Sequence, residues 1–225
     1  MNTIRKQIQS LLKLAFLAIL MSGCEFEGLD LQQPYEYDYN AGMRSNELKM
    51  TAWEFMQSRP DLFSIMTEGV KYAGLEDMYK QPNSTYLLLA DKAFNSTTES
   101  DYSYFMTHLL PDPLDVTKTI VPESLDMYPA DQVKELLLYH IAKGTWTWSN
   151  LPAIPTWYDT YASADTAKIS MYLLKDRNPN ITFNNFEGHY KLTIKARTTN
   201  LKTSNGSYVH VLESWMDRPT QAQLK

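Results

Sequence analysis

A single cysteine, Cys24, in 225 residues rules out any intramolecular disulfide. Histidine is scarce too. His108, His140, His189 and His210 form neither a helical His-x-x-x-His pair nor a cysteine/histidine cluster, so no metal site is expected. Basic residues are outnumbered 21 to 26, and an acidic chain repels phosphate backbones, which argues against a nucleic-acid partner. A Gly-x-Ser-x-Gly elbow, a phosphate-cradling glycine loop and a dinucleotide fingerprint are all missing, so no cofactor is expected. The acidic pairs Asp112/Asp115 and Glu123/Asp126 lack the spaced loop and central glycine of an EF-hand and read as solvated loop carboxylates. A hydrolase would need a cleft with paired acids, which no motif here announces. The chain reads as a non-enzyme.

The N-terminus is more explicit. Arg5, Lys6 and Lys13 precede a short apolar run, Leu14 to Met21, too short to span a bilayer but shaped like an export signal. The run ends in Leu20-Met21-Ser22-Gly23-Cys24, which resembles a bacterial lipobox. That resemblance implies a signal peptide over 1–23 and a lipid anchor on Cys24. Those three bases leave with the leader, so the mature chain stands at −8 rather than −5. Glu25 follows the cysteine, and Cys24-Glu25-Phe26-Glu27 loosely resembles signals for the outer membrane and cell surface. Residues 24–48 are polar, acidic and tyrosine-rich and read as a tether, 49–217 as one domain, and 218–225 as a C-terminal tail.

Within the domain, Thr51 suits the N-cap of a short helix that stops before Pro60, and Pro60-Asp61 suits the start of a second helix closed by Gly74. A β-rich run, Thr85 to Ala90, leads into a helix start at Asp91-Lys92-Ala93-Phe94. Val133, Leu136, Leu137, His140 and Ile141 share one helical face, predicting a helix over 131–143 closed by Gly144. Strands are predicted over 168–174, 181–186, 190–197 and 207–214. Asn205-Gly206 marks a hairpin turn, of type I′ if both residues take positive φ. Helices first and strands later indicate an α+β fold.

Four stretches, in order, resemble the fasciclin-like domain family. They are Asp61 to Met66 with Ala73-Gly74-Leu75, Thr85 to Phe94, Leu136 to Gly144, and Ser204 to Leu212. The resemblance spans about Met50 to Met216 and implies N-terminal helices packed on a mostly antiparallel sheet or wedge. It also implies structural roles for His140 and His210, and a function in adhesion or protein–protein interaction. Two departures stand out. Leu88-Leu89-Ala90 replaces the family's phenylalanine-alanine-proline run, and 44 residues separate Phe94 from Tyr139, more than the family usually needs.

Aromatics cluster in one place. Trp146, Trp148 and Trp157 are three of five tryptophans, close to Tyr158 and Tyr161. Alternation in Thr145-Trp146-Thr147-Trp148 would aim both indoles the same way on a strand, while a rigid Leu151-to-Pro155 loop would present Trp157 and Tyr158. Either the cluster fills the core or it forms an exposed surface for a cell-envelope or extracellular protein, or for a polysaccharide. Two functions follow from different classes. One is a lipid-anchored interaction module, and the other a surface glycan-binding accessory to an outer-membrane nutrient-uptake complex.

Overall fold

The computed structural model describes residues 45–98, 102–174, 179–191 and 193–224. Cys24 and most of the proposed tether lie outside them. Helix α1 (Ala52–Ser58) starts from a capping box: the Thr51 hydroxyl accepts the Glu54 N–H at 3.2 Å, while the Glu54 carboxylate accepts the Thr51 N–H at 2.8 Å. Helix α2 (Pro60–Tyr72) breaks its geometry at Phe63 (φ −130°, ψ 27°), which frees the amides just beyond the break. Asp91 takes them, accepting the N–H groups of Ser64 at 3.2 Å and Ile65 at 2.9 Å and the Ser64 hydroxyl. The aspartate of the resembled Asp91-Lys92-Ala93-Phe94 motif therefore caps another helix, from its own place at the start of α3 (Asp91–Asn95).

Strand β1 (Ser84–Leu89) lies at the centre of the core and is buried along its whole length. A short helix α4 (Tyr104–Thr107), a two-stranded hairpin β2 (Leu110–Pro111) and β3 (Thr119–Ile120), and helix α5 (Ala130–Tyr139) follow. The remaining strands are β4 (Ile141–Lys143), β5 (Thr156–Asp159), β6 (Lys168–Leu174), β7 (Asn180–Phe183), β8 (Ile194–Lys202) and β9 (Tyr208–Leu212). Seven strands form one sheet in the order β4-β1-β9-β8-β7-β6-β5, antiparallel except for the parallel β1–β9 pair. Its outer strands nearly meet, because Ala142 bridges Thr160 and the Tyr161 N–H donates to Ile141 O at 3.1 Å. The fold is α+β and fasciclin-like, with helices packed on a sheet curled almost into a barrel.

The predicted 131–143 helix is shorter than its periodicity implies. It ends at Tyr139, His140 is its C-cap, and Ile141 leaves to pair with Tyr86. The apolar face continues past the helix because a β-branched residue beside a buried strand is buried as well in the sheet as on the helix. Gly144 follows β4, at φ +91°, instead of closing the helix. Strand β7 stops at Phe183 because Asn184 takes φ +44°, and β8 begins at Ile194 and runs on to Lys202. The compact body starts at Ser45, where Leu48 N–H donates to Lys202 O.

Candidate functional site

The aromatic segment divides. Trp146 folds back on its own chain, its indole N–H donating to Lys143 O at 2.8 Å and its ring lying 4.2 Å from that of Tyr158. Tyr158 is buried, and Tyr161 is half-buried, with its hydroxyl 3.3 Å from the Ser84 hydroxyl and the Lys143 ammonium over its ring. Trp157, on β5, leans on Phe186 at 5.5 Å. Trp148 is 40% exposed.

The alternating stretch Thr145–Trp148 does not form a strand. The Thr147 N–H donates to the Asn150 side chain at 2.7 Å, the Trp146 N–H donates to the Thr85 hydroxyl at 2.8 Å, and the chain turns at 148–150. Side-chain acceptors competing for backbone amides are the ordinary reason a β-like pattern becomes a turn. With the strand gone, no shared face aims the two indoles together.

His140 and His210 are fully buried, and both nitrogens of each ring are engaged. His140 Nδ1 lies 2.9 Å from Leu136 O, and its Nε2 accepts the Met216 N–H at 3.2 Å. His210 Nδ1 accepts the Asn200 N–H at 3.2 Å, and its Nε2 lies 2.9 Å from Trp146 O. Each pattern needs one donor and one acceptor nitrogen, which is the neutral imidazole. Burial pushes both rings down to about 4. These are joints: one ties α5 to the C-terminal segment, the other ties β8 to the 145–148 loop. The hairpin before His210 is not of type I′. Of its two residues only Gly206 has positive φ (+84°), while the Asn205 side chain accepts the Thr203 hydroxyl and donates to Lys80 O.

A cleft of about 430 Å³ lies between α4, α5 and the segment 215–218. Its charges face one another: Arg218 pairs with Glu135 at 3.0 Å and lies over the Tyr139 ring. Burial alone would raise the Glu135 carboxyl, but hydrogen bonds from Ser163 and Arg218 hold it below the usual range. Burial raises Asp217 and lowers His108, whose ring stacks 4.0 Å from Tyr104. The cleft is a seam closed by internal pairs. Among the described residues no group of three or more histidine, cysteine or acidic side chains is placed to hold a metal ion, and no helix is long and apolar enough to cross a membrane.

The most exposed apolar chemistry was not singled out by sequence patterning. Seven of the ten exposed large hydrophobic side chains among the described residues fall between Tyr102 and Met127, inside the long connection ahead of α5. Leu114 is 96% exposed and Val116 84%, at the tip of the β2–β3 hairpin. That tip is rigid. Asp112 accepts the Leu114 N–H at 2.8 Å, Asp115 accepts the Thr117 N–H and hydroxyl, and Lys118 pairs with Asp115 at 3.0 Å. The available signal was Asp112-Pro113-Leu114-Asp115-Val116, in which apolar residues alternate with turn-formers.

No protein-family model and no curated protein matches the chain. Among solved structures it is similar to a FAS1 domain pair from the insect cell adhesion molecule fasciclin I, with a TM-score of 0.50 and 18% identity. The match covers 74% of this chain and 50% of that one, so the chain spans about half the length of the insect pair.

Proposed function

We propose that this chain is a lipid-anchored cell-envelope protein whose fasciclin-like domain binds another protein and catalyses nothing. The observation that carries this reading is the concentration of exposed apolar side chains in the connection ahead of α5, since exposed apolar surface gathered in one region of a folded domain marks an interaction site. The likeness to a domain pair from an adhesion molecule points the same way. The anchor rests on Leu20-Met21-Ser22-Gly23-Cys24, and the loose resemblance of Cys24-Glu25-Phe26-Glu27 to surface-export signals supports an outer-membrane, cell-surface location. Cys24→Ala should move the protein from the membrane to the soluble fraction, and protease added to intact cells should digest the wild-type domain. Tight membrane association of the variant would refute the anchor.

A second reading, a glycan-binding accessory to an outer-membrane nutrient-uptake complex, is favoured by the exposed indole of Trp148. Isothermal titration of a polysaccharide panel should then give heat with the wild type that Trp148→Ala abolishes. Absence of heat with every polysaccharide ends that reading.

A further inference from the structure

We propose that the β2–β3 hairpin is the docking element, and that its partner is a protein presenting an apolar depression rimmed by lysine or arginine. This rests on the interaction-module reading and adds to it the residues and the partner's chemistry.

Leu114 and Val116 are branched aliphatic side chains left almost wholly exposed side by side at the hairpin tip. Leu109 and Val121, also exposed, continue the Leu110–Ile120 pair at the base of the same hairpin. The backbone that carries them is already fixed: the Asp112 N–H donates to Lys118 O at 3.0 Å, and the Lys118 N–H donates to Asp115 O at 2.9 Å. An ordered tip loses little further freedom on docking, which is the condition under which a small apolar knob binds well.

Charge selects the partner. Between Leu110 and Met127 the acids are Asp112, Asp115, Glu123 and Asp126, and the lone base, Lys118, is held by Asp115. An anionic lipid surface would repel this rim. A second copy meeting it across a two-fold axis would set carboxylate against carboxylate. A basic rim around an apolar socket satisfies both the knob and its surroundings.

The test uses the full-length, lipidated chain in its own cells, with p-benzoylphenylalanine at Leu114 and, as a control, at Ile154, which is 70% exposed and outside the insertion. Illumination should give a protein adduct from position 114 and none from 154, and the cross-linked peptide should map to an apolar surface flanked by lysine or arginine. With that protein purified, Leu114→Asp should weaken binding roughly thirty-fold or more, the range of an interface hot spot, while leaving thermal unfolding unchanged. Raising salt from about 50 to 500 mM should weaken the wild type more than Asp112→Asn/Asp115→Asn. An adduct only with lipid, only with a second copy, or with an acidic protein surface overturns the proposal. An adduct from 154 alone overturns it while leaving the interaction reading standing. No adduct from either position overturns both.

Discussion

Between pH 8 and pH 5 the domain should lose about 4 kcal/mol of unfolding free energy, a large part of the 5–15 kcal/mol typical of a folded domain. The cause is the pair of neutral joints, His140 and His210. In the unfolded chain each titrates near 6.5, and in the fold burial holds each near 4. Between those values the unfolded chain binds more protons than the folded one, so stability falls as pH falls. Each ring contributes about 1.4 kcal/mol per pH unit across that window. Protonation also removes an acceptor: His140 Nε2 could no longer receive the Met216 N–H, nor His210 Nδ1 that of Asn200.

The groups around them shape the curve. His189, which burial also lowers, accepts the Asp217 N–H at 3.0 Å, so acid loosens two successive amides of the C-terminal segment. Asp217 opposes this, because its raised carboxyl takes up a proton in the fold before it would in the unfolded chain. The lowered carboxyls, such as Glu54 and Asp61, lose their contribution only as pH falls below their ordinary values near 4, outside the histidine window. Denaturant unfolding at half-unit steps from pH 8 to 5 checks the slope. A flat line would mean that both rings titrate in the fold as they do in the unfolded chain and that the neutral hydrogen-bond pattern is wrong. Replacing either histidine with glutamine should remove a large part of the slope, the remainder resting on its partner and on His189 and His108, which burial also lowers.

How much of this the sequence shows depends on whether a feature is local. The Thr51/Glu54 capping box, the Pro60 start and the Gly74 stop sit within a few residues of what they determine, and all three are present. The hydrophobic period around α5 located that helix correctly but could not end it. Its last two apolar positions, His140 and Ile141, are buried as cap and strand because β1 offers Tyr86 as a partner 55 positions earlier, a pairing that no local window contains. The Thr145–Trp148 alternation failed for a similar reason, since Thr85 and Asn150 competed for the backbone. The hairpin tip was visible as an insertion of unusual length with turn-formers at Asp112-Pro113 and Asp115, but its exposure was not. Exposure is a property of what fails to pack against a residue, and a sequence does not state that.

Asn184→Ala should cost about 4 kcal/mol and lower the melting temperature by roughly 8–16 °C, the shift expected for a domain of this size. Asn184 is fully buried, at φ +44°, just past the end of β7. Its backbone N–H donates to Ser170 O at 2.9 Å and its side-chain oxygen accepts the Ser170 N–H at 3.0 Å, so it extends the β6–β7 ladder by one pair that no ordinary strand residue could make. Its amide nitrogen donates to the Tyr139 hydroxyl and to Asp217 O, each at 2.9 Å. One side chain thus joins the sheet, the end of α5 and the C-terminal segment; alanine orphans the Ser170 N–H and takes one partner each from the Tyr139 hydroxyl and Asp217 O, which still bond each other. The positive φ adds a smaller term, which Asn184→Gly separates: glycine should recover about 1 kcal/mol relative to alanine, and the remainder is the hydrogen-bond network. If alanine costs less than about 1 kcal/mol, the network is water-replaceable and the C-terminal segment is held by His140 and Arg218 instead. The same variant bears on the pH prediction. With the segment already loosened, His140 becomes hydrated, its folded pKa rises toward 6.5, and the slope between pH 8 and 5 should flatten while His210 keeps its share.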